Sequence, residues 1–156
     1  MTTQPEQYQS VVCDSNSMEW LEVPLEQIGA TLPIKPFIAD PDTGMSCFLL
    51  RYAAGFINPW HTHKMSHGMF VLSGTLRTHE GEFGPGSFVW MPEGMTMYHG
   101  ATEDSDCVVV FITNKPFNIR YTFFNIRYTF EDEPSGSEAE RLGREKACLC
   151  SMASVT

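Results

Sequence analysis

The feature that most constrains the fold is a series of short β-like runs between residues 46 and 113, separated by Gly, Pro and Asp. These runs are rich in Val, Phe, Leu and Tyr, which favour strands. Strands this short and this regularly spaced are typical of a sandwich or a barrel. No helical periodicity competes with them here, so we predict an all-β fold. The predicted strands are Ser46–Tyr52, Met69–Leu72, Thr75–Thr78, Ser87–Met91 and Cys107–Thr113.

The length of 156 residues suits one domain. We predict a flexible polar segment over residues 1–17, a β-barrel domain over 18–134 and a polar tail over 135–156. The tail either forms a short helix, for which Ser137 and Glu140 provide a capping box, or is disordered. Before the first predicted strand, Asp40–Gly44 has the composition of a tight turn.

Residues 117–123 are repeated identically at 124–130. Side chains in a strand alternate between faces, and seven is odd, so a straight strand would present the two copies to opposite faces. We therefore expect only one copy to keep a given register in the sheet, and we predict no functional site in the repeat.

The charge balance excludes some classes of partner. With 19 acidic and 10 basic residues the net charge is −9, which argues against nucleic acid and anionic membranes. No apolar run is long enough for a membrane span, and the polar first residues lack the layout of a signal peptide. We expect a cytoplasmic protein whose five cysteines are free thiols. A metal site at Cys148 and Cys150 is possible, but with no second pair a flexible tail is the favoured interpretation.

Histidines are concentrated in one stretch. His61 and His63 share one face of an extended strand, because side chains two residues apart point the same way. His67 follows after a gap that can turn the chain back, and His99 follows the turn Pro92–Gly94. Imidazole suits zinc, copper, iron and nickel. We predict that the four bind one divalent metal ion, with His67 either a ligand or a neighbour of a three-histidine site. The fifth histidine, His79, is assigned to a hairpin turn.

Two segments carry a family resemblance. Residues 55–74 contain Gly55, then His61-Thr-His63, then His67 and Gly74, and resemble the first cupin motif. Residues 86–99 contain Gly86, Pro92-Glu-Gly94 and His99, and resemble the second. The match covers roughly residues 48–113. The resemblance implies a cupin double-stranded β-helix, that is, a jelly-roll barrel, with a peripheral C-terminal tail and a homodimeric assembly.

The sequence departs from the family pattern in its ligands. His67 stands where the family has a glutamate, four residues rather than two separate Gly94 from His99, and Glu103 takes the place of a usual asparagine. His67 followed by Gly68 resembles the 2,4′-dihydroxyacetophenone dioxygenase branch. The Asp40–Gly44 hairpin is similar to that of ChrR-type cupins near this branch.

A ligand set without a carboxylate leaves the metal its full charge and favours an anionic chelating substrate such as an enolate or a phenolate. Together with the resemblance this implies an iron(II) dioxygenase acting on a small enolisable or phenolic substrate. Strand alternation places Met69, Val71 and Met97 on the inward face, where they would line a pocket for an apolar or aromatic molecule. Tyr52 and Tyr98 are the nearest candidates for acid–base work, although alternation turns Tyr98 away from the face of His99.

Two alternative functions remain open at the level of the sequence. One is a non-redox isomerase or lyase using zinc, nickel or manganese as a Lewis acid. The other is a non-catalytic binding or sensing module, since one fold hosts many functions.

Overall fold

The structure, a computed structural model, describes residues 10–122. Within that range the chain forms eleven strands and one 3₁₀ helix, Glu26–Ile28, so the predicted all-β class is confirmed. The strands are β1 (Leu21–Leu25), β2 (Ala30–Ala39), β3 (Ser46–Tyr52), β4 (Ile57–Thr62), β5 (His67–Ser73), β6 (Leu76–Thr78), β7 (Gly81–Phe83), β8 (Phe88–Met91), β9 (Met97–Ala101), β10 (Cys107–Thr113) and β11 (Arg120–Tyr121).

The strands form two antiparallel sheets. The six-stranded sheet has the order β1-β2-β3-β10-β5-β8, and the five-stranded sheet has the order β11-β4-β9-β6-β7. Neighbours in each sheet are often distant in sequence, as expected for a jelly roll. The sheets are not closed into one barrel by backbone hydrogen bonds. The predicted jelly roll is therefore confirmed, but as a pair of sheets rather than a closed barrel.

The core lies between the sheets. Along β10, Cys107, Val109 and Phe111 are buried, while the residues between them are more exposed. This alternation places every second side chain in the core. The five-stranded sheet contributes Leu76, Met97 and Ala101 to the same apolar cluster. The histidine-bearing strands β4, β5 and β9 thus direct their inward side chains into a water-poor interior.

The predicted strands agree with the observed ones. Ser46–Tyr52 and Cys107–Thr113 are found with the predicted bounds, and the other three are found with small shifts at their ends. The Asp40–Gly44 turn joins β2 to β3, with the Asp40 carboxylate accepting hydrogen bonds from the Asp42 amide and the Thr43 hydroxyl. His79 lies in the predicted hairpin turn, between β6 and β7.

Strand β2 was not predicted, because Pro33 and Pro36 lie inside it. It nevertheless pairs with both β1 and β3. Proline lacks an N–H group, and the pairing with β3 becomes irregular between Pro36 and Ile38. A bulge thus allows a proline-containing segment to lie inside a sheet.

The first copy of the repeat supplies β11, which pairs with β4. The second copy, the tail with its predicted cap and the Cys148–Cys150 pair lie outside the described residues. Between residues 10 and 122, the structure contains no helix of the length and apolarity that crossing a membrane requires.

Candidate metal centre

Three histidines converge in the interior. One ring nitrogen from each of His61, His63 and His99 lies within 4.8 Å of the others, and all three side chains are buried. The Nε2 atoms of His61 and His99 are 3.1 Å apart. His61 lies near the end of β4, His63 follows directly after that strand, and His99 lies on the neighbouring strand β9. The predicted convergence of two separate segments is therefore found.

The outward nitrogen of each ring has a fixed partner. Nδ1 of His61 donates to the backbone carbonyl of Pro59, and Nδ1 of His63 donates to that of Asn118. Nδ1 of His99 lies 2.8 Å from the Tyr52 hydroxyl oxygen. Such partners orient metal-binding imidazoles and fix their tautomers. With the proton of His61 on Nδ1, its Nε2 presents a lone pair to His99.

The inward nitrogens are arranged as a cation would require. Nε2 of His63 is buried and has no hydrogen-bond partner. A buried, unpaired polar atom is costly. In the absence of metal, Nε2 of His99 can donate a hydrogen bond to Nε2 of His61 while its Nδ1 accepts one from the Tyr52 hydroxyl. A metal ion would replace that hydrogen bond and give Nε2 of His63 a partner. Among residues 10–122 no carboxylate joins this cluster, and three imidazoles suit a transition metal rather than magnesium or calcium.

His67 lies beside the three-histidine cluster but is not part of it. Its ring is fully buried, its centroid is 4.8 Å from that of His63 and 5.8 Å from that of His99, and it stacks on Phe111. Neither ring nitrogen has a hydrogen-bond partner. His67 is therefore close to the cluster, and its ring nitrogens are available to bind a metal ion.

Burial keeps these imidazoles neutral. It lowers the pKa of His61 and takes that of His99 well below its usual value. Burial also lowers the pKa of His63 to about 4 and, with help from the neighbouring His63 and His61, that of His67 to about 3. Neutral rings have lone pairs available to a metal at physiological pH.

A small cavity adjoins the cluster. Its interior volume is about 20 Å³, roughly the space of one water molecule, and it is partly open to solvent. His63 and His99 form part of its wall. The rest of the wall is formed by Leu25, Leu32, Leu50, Tyr52, Asn58, Phe111, Phe117 and Ile119.

The three residues predicted to line a pocket are all inward-facing. Met69, Val71 and Met97 have no exposed surface. They are core residues and do not belong to the wall of this cavity, whose apolar side comes mainly from the two ends of the described chain.

Sequence analysis missed Asn58 and the Asn118 carbonyl, and it did not find the role of Tyr52. Asn58 and His61 are three residues apart, and regular alternation would place them on opposite faces. An irregularity in the pairing of β4 with β9 allows both to be buried. A backbone carbonyl such as that of Asn118 has no sequence signature. The prediction for Tyr98 agrees with its packing edge-on against Trp60, away from the cluster.

Comparison with known proteins identifies a family to which the chain is similar. The model of the ChrR cupin-like domain matches residues 8–118, whereas a comparison with curated protein sequences found no match. Solved structures with a similar fold include an RmlC-like cupin protein from Ralstonia eutropha JMP134, with 23% identity and a TM-score of 0.57 over 68% of this chain and 69% of that one.

Two further structures are similar at 19% identity and a TM-score of 0.51. One is the anti-sigma protein ChrR, solved in complex with SigE of Rhodobacter sphaeroides, for which the match covers 64% of this chain and 51% of that one. The other is the polyketide cyclase RemF from Streptomyces resistomycificus, with coverage of 60% and 72%. At these identities the likeness concerns the fold.

Proposed function

Since the chain belongs to the ChrR cupin-like domain family, and its histidines form a candidate metal centre, we propose that it is a metal-dependent enzyme, an iron(II) dioxygenase. Its substrate would be a small enolisable or phenolic molecule. The single observation that carries the proposal is the convergence of His61, His63 and His99 without a carboxylate beside an apolar cavity.

The charge of the site selects the substrate class. Three neutral imidazoles leave a divalent ion with its full positive charge, and the buried surroundings strengthen its attraction for an anion. An enolate or phenolate would supply the missing negative charge, and its carbon skeleton would contact the apolar wall once the cavity opens to admit it. A small neutral hydrocarbon would gain only the contact with the apolar wall and not the attraction to the metal ion.

Iron(II) held there would act as a Lewis acid toward the substrate oxygen and provide redox chemistry toward dioxygen. Cleavage of a carbon–carbon bond in which both atoms of one dioxygen enter the products balances without an external reductant. The protein's own contribution is to orient the ligands and to exclude water, for which Phe111 and Phe117 lie close to the rings of His67 and His63.

Tyr52 has a specific place in this scheme. If Nε2 of His99 held a metal ion, Nδ1 of that ring would carry the proton, and this N–H group would donate a hydrogen bond to the Tyr52 hydroxyl oxygen. Burial raises the pKa of Tyr52 well above its usual value, so the tyrosine keeps its own proton. That O–H group belongs to the cavity wall.

We propose His67 as a fourth ligand. Its two unpartnered nitrogens and its distance from His63 support this role. A metal content that survives His67→Leu unchanged would instead make His67 a packing neighbour of the three-histidine site.

The test combines elemental analysis with oxygen uptake. Protein purified without added metal should contain iron, and the iron-loaded protein should consume oxygen with β-diketones or hydroxyacetophenones. The matched control is His63→Ala, which should do neither. Iron present with no uptake above the metal-free protein would contradict the dioxygenase.

A second candidate function uses the metal ion but does not use dioxygen as a substrate. It is a non-redox isomerase or lyase using zinc, nickel or manganese as a Lewis acid; a polyketide cyclase is among the proteins of similar fold. Native zinc or nickel with iron absent would favour it. A third candidate is a non-catalytic sensing module, which would bind ligand and gain stability without turnover.

We also propose a homodimer formed through the outer face of β8 and its neighbours. Five large apolar side chains are 37–57% exposed there, and we name them the β8 patch: Phe70, Leu72, Phe88, Trp90 and Ile112. Aromatic side chains carry about 150–250 Å² each, so the patch reaches the few hundred Å² that mark an interface.

A second copy of the chain is the occupant that fits this face. β8 is an edge strand, and its sequence Phe-Val-Trp-Met has no charge or proline to block pairing. Antiparallel pairing of two β8 strands about a two-fold axis would be self-complementary. The described chain ends at Thr122 beside β4, at the end of the five-stranded sheet remote from β7, the strand that leads into β8.

A further inference from the structure

The first copy of the repeated segment, residues 117–123, forms one side of the candidate metal centre. The Asn118 carbonyl accepts the hydrogen bond from Nδ1 of His63. The Phe117 ring lies 5.5 Å from the ring of the same histidine, and Phe117 and Ile119 both belong to the cavity wall. The copy therefore supplies an outer partner of one metal-binding imidazole and part of the apolar surface beside it.

The same copy is held in place by strand pairing. Arg120 lies opposite Thr62, and Tyr121 lies opposite His61. The Tyr121 ring is 5.8 Å from the His61 ring and faces the interior, whereas the Arg120 side chain is exposed. This alternation is that of an ordinary strand. The position beside β4 thus selects a short sequence with a defined inner and outer face.

The second copy, residues 124–130, has the sequence that this position selects. It is identical to the first over all seven residues. If the chain shifted by one whole repeat beside β4, Asn125 would take the place of Asn118 and Tyr128 would take the place of Tyr121. Each side chain would then have the same face as its counterpart, because the whole strand is replaced rather than displaced by an odd number of residues. The contacts with β4 and the cavity wall would be the same.

The shift requires the first copy to leave the sheet as a loop between Pro116 and Phe124. The three residues before the repeat, 114–116, are exposed, so a loop that begins there can project into solvent. Closing a loop of seven residues lowers the population by about twentyfold, since the entropy cost grows as 3/2 of the logarithm of loop length. The shifted arrangement is therefore a minor state, but its population remains large enough to measure.

We propose that the second copy exchanges with the first beside β4, so that this wall of the candidate metal centre exists in two registers. The first register is the one in the structure, and the second has a population of about 5%. A damaging substitution in one copy shifts the chain toward the other register, and the wall is retained. This inference does not depend on the reaction proposed for the centre.

Disulfide trapping measures both registers. Thr62→Cys with Arg120→Cys is the first-register pair, because these residues are opposite each other, and Thr62→Cys with Arg127→Cys is the second-register pair. Thr62→Cys with Glu133→Cys, six residues further along the chain, controls for random encounter. The two C-terminal cysteines are replaced by Ser in every variant. Equilibrium in glutathione buffer gives the effective concentration of each thiol pair, and the second-register pair should exceed the control about tenfold or more.

Two matched substitutions shift the balance between the registers. Ile119→Asp places a charge in the cavity wall only in the first register, so it should raise the effective concentration of the second-register pair about tenfold. Ile126→Asp should lower that value to the control level and leave the first-register pair unchanged. In the chain that lacks residues 124–130, Ile119→Asp should lower the thermal transition further than in the complete chain, because no second copy remains.

Three results would overturn the proposal. The first is a second-register pair that does not exceed the random-encounter control. The second is a second-register pair that Ile126→Asp leaves unchanged, since this variant keeps the first copy intact and does not disturb the fold in the structure. The third is an Ile119→Asp substitution that lowers the thermal transition equally in the complete chain and in the single-copy chain, or that unfolds both.

Discussion

At the scale of single residues, the site depends on hydrogen bonds behind its ligands. Tyr52 is fully buried, and its hydroxyl is the partner of Nδ1 of His99. Its ring also lies 5.6 Å from that of His99 and stacks near Phe56. The ring therefore fills space while the hydroxyl positions a ligand, and the two roles can be separated by removing one atom.

We predict that Tyr52→Phe weakens metal binding by about 10–100-fold, the usual effect of losing an outer partner of a ligand. The substitution also leaves Nδ1 of His99 buried without its partner, so the metal-free protein should lose about 1–3 kcal/mol of stability. Competition with a chromophoric chelator measures the affinity. Tyr98→Phe is the control, because Tyr98 packs against Trp60 rather than the cluster. Equal affinities for the wild type and Tyr52→Phe would show that the hydroxyl does not support His99.

The ligands were more predictable than the residues around them. Spacing of two on a strand places His61 and His63 on one face, and the cupin resemblance brings His99 to them. Strand periodicity does not predict that Asn58 shares a face with His61, because the irregular pairing of β4 with β9 after Asn58 changes the alternation of side chains between the two faces. The Asn118 carbonyl is beyond sequence analysis altogether, since every residue carries one.

At the scale of elements, β4 and β9 approach each other closely beside the metal centre. A Cβ atom on Gly100 would lie 1.9 Å from the backbone oxygen of Phe56. Phe56 also accepts a hydrogen bond from the amide of Ala101. The glycine next to His99 thus allows the strand that carries this ligand to pack directly against the backbone before β4.

We predict that Gly100→Ala destabilises the protein by about 1–3 kcal/mol, as forced overpacking does. Gly84→Ala is the matched control, because a Cβ atom there meets nothing within 4 Å and the backbone is not left-handed. Urea unfolding of the two variants measures the difference. A Gly100→Ala protein as stable as the control would contradict the close packing of β4 and β9.

The repeated segment gives a second prediction at this scale. The Asn118 carbonyl, the Phe117 ring beside His63, and the β11–β4 pairing all come from the first copy. Deleting seven residues leaves one copy with the same sequence, so metal content and thermal stability should be retained. Ile119→Asp, which places a charge in the cavity wall, should lower stability. Loss of metal from the single-copy protein would assign a role to the second copy.

The strands themselves were predictable where apolar and turn residues alternate clearly, as in β3 and β10. Strand β2 was not predicted because it contains prolines. Strand β11 has only two residues, which are too few to show a strand periodicity. Which strands pair depends on contacts between distant segments, and here the family resemblance supplied what periodicity could not. The expected closed barrel is not found, because in the described part of the chain no hydrogen-bonded ladder connects the edges of the two sheets.

At the scale of the whole molecule, the β8 patch lies on the outside of the six-stranded sheet, while the metal centre lies inside. Trp90 and Phe88 are half exposed, so replacing them should leave the core intact. The histidine at the inner side of this sheet, His67, pairs with Met91 rather than with Trp90. Assembly and metal binding can therefore be tested independently.

We predict that sedimentation analysis gives the wild-type protein twice its chain mass of 17.6 kDa. The Trp90→Glu and Phe88→Glu variants should have the mass of a monomer. The introduced charges would repel across the two-fold axis. Val12→Glu is the control, since Val12 is 82% exposed and outside the β8 patch. A monomeric wild type, or variants that remain dimeric, would contradict this interface.

The account depends most on one claim, that imidazoles from β4 and β9 bind a common ion. The direct measurement is the metal content of the wild type and of His61→Ala, His99→Ala and His79→Ala after equal exposure to iron(II) and removal of excess metal. We predict one ion per chain in the wild type and in His79→Ala, and loss of most of it in the other two. An unchanged metal content in folded His99→Ala, or no bound ion in the wild type, would contradict the account.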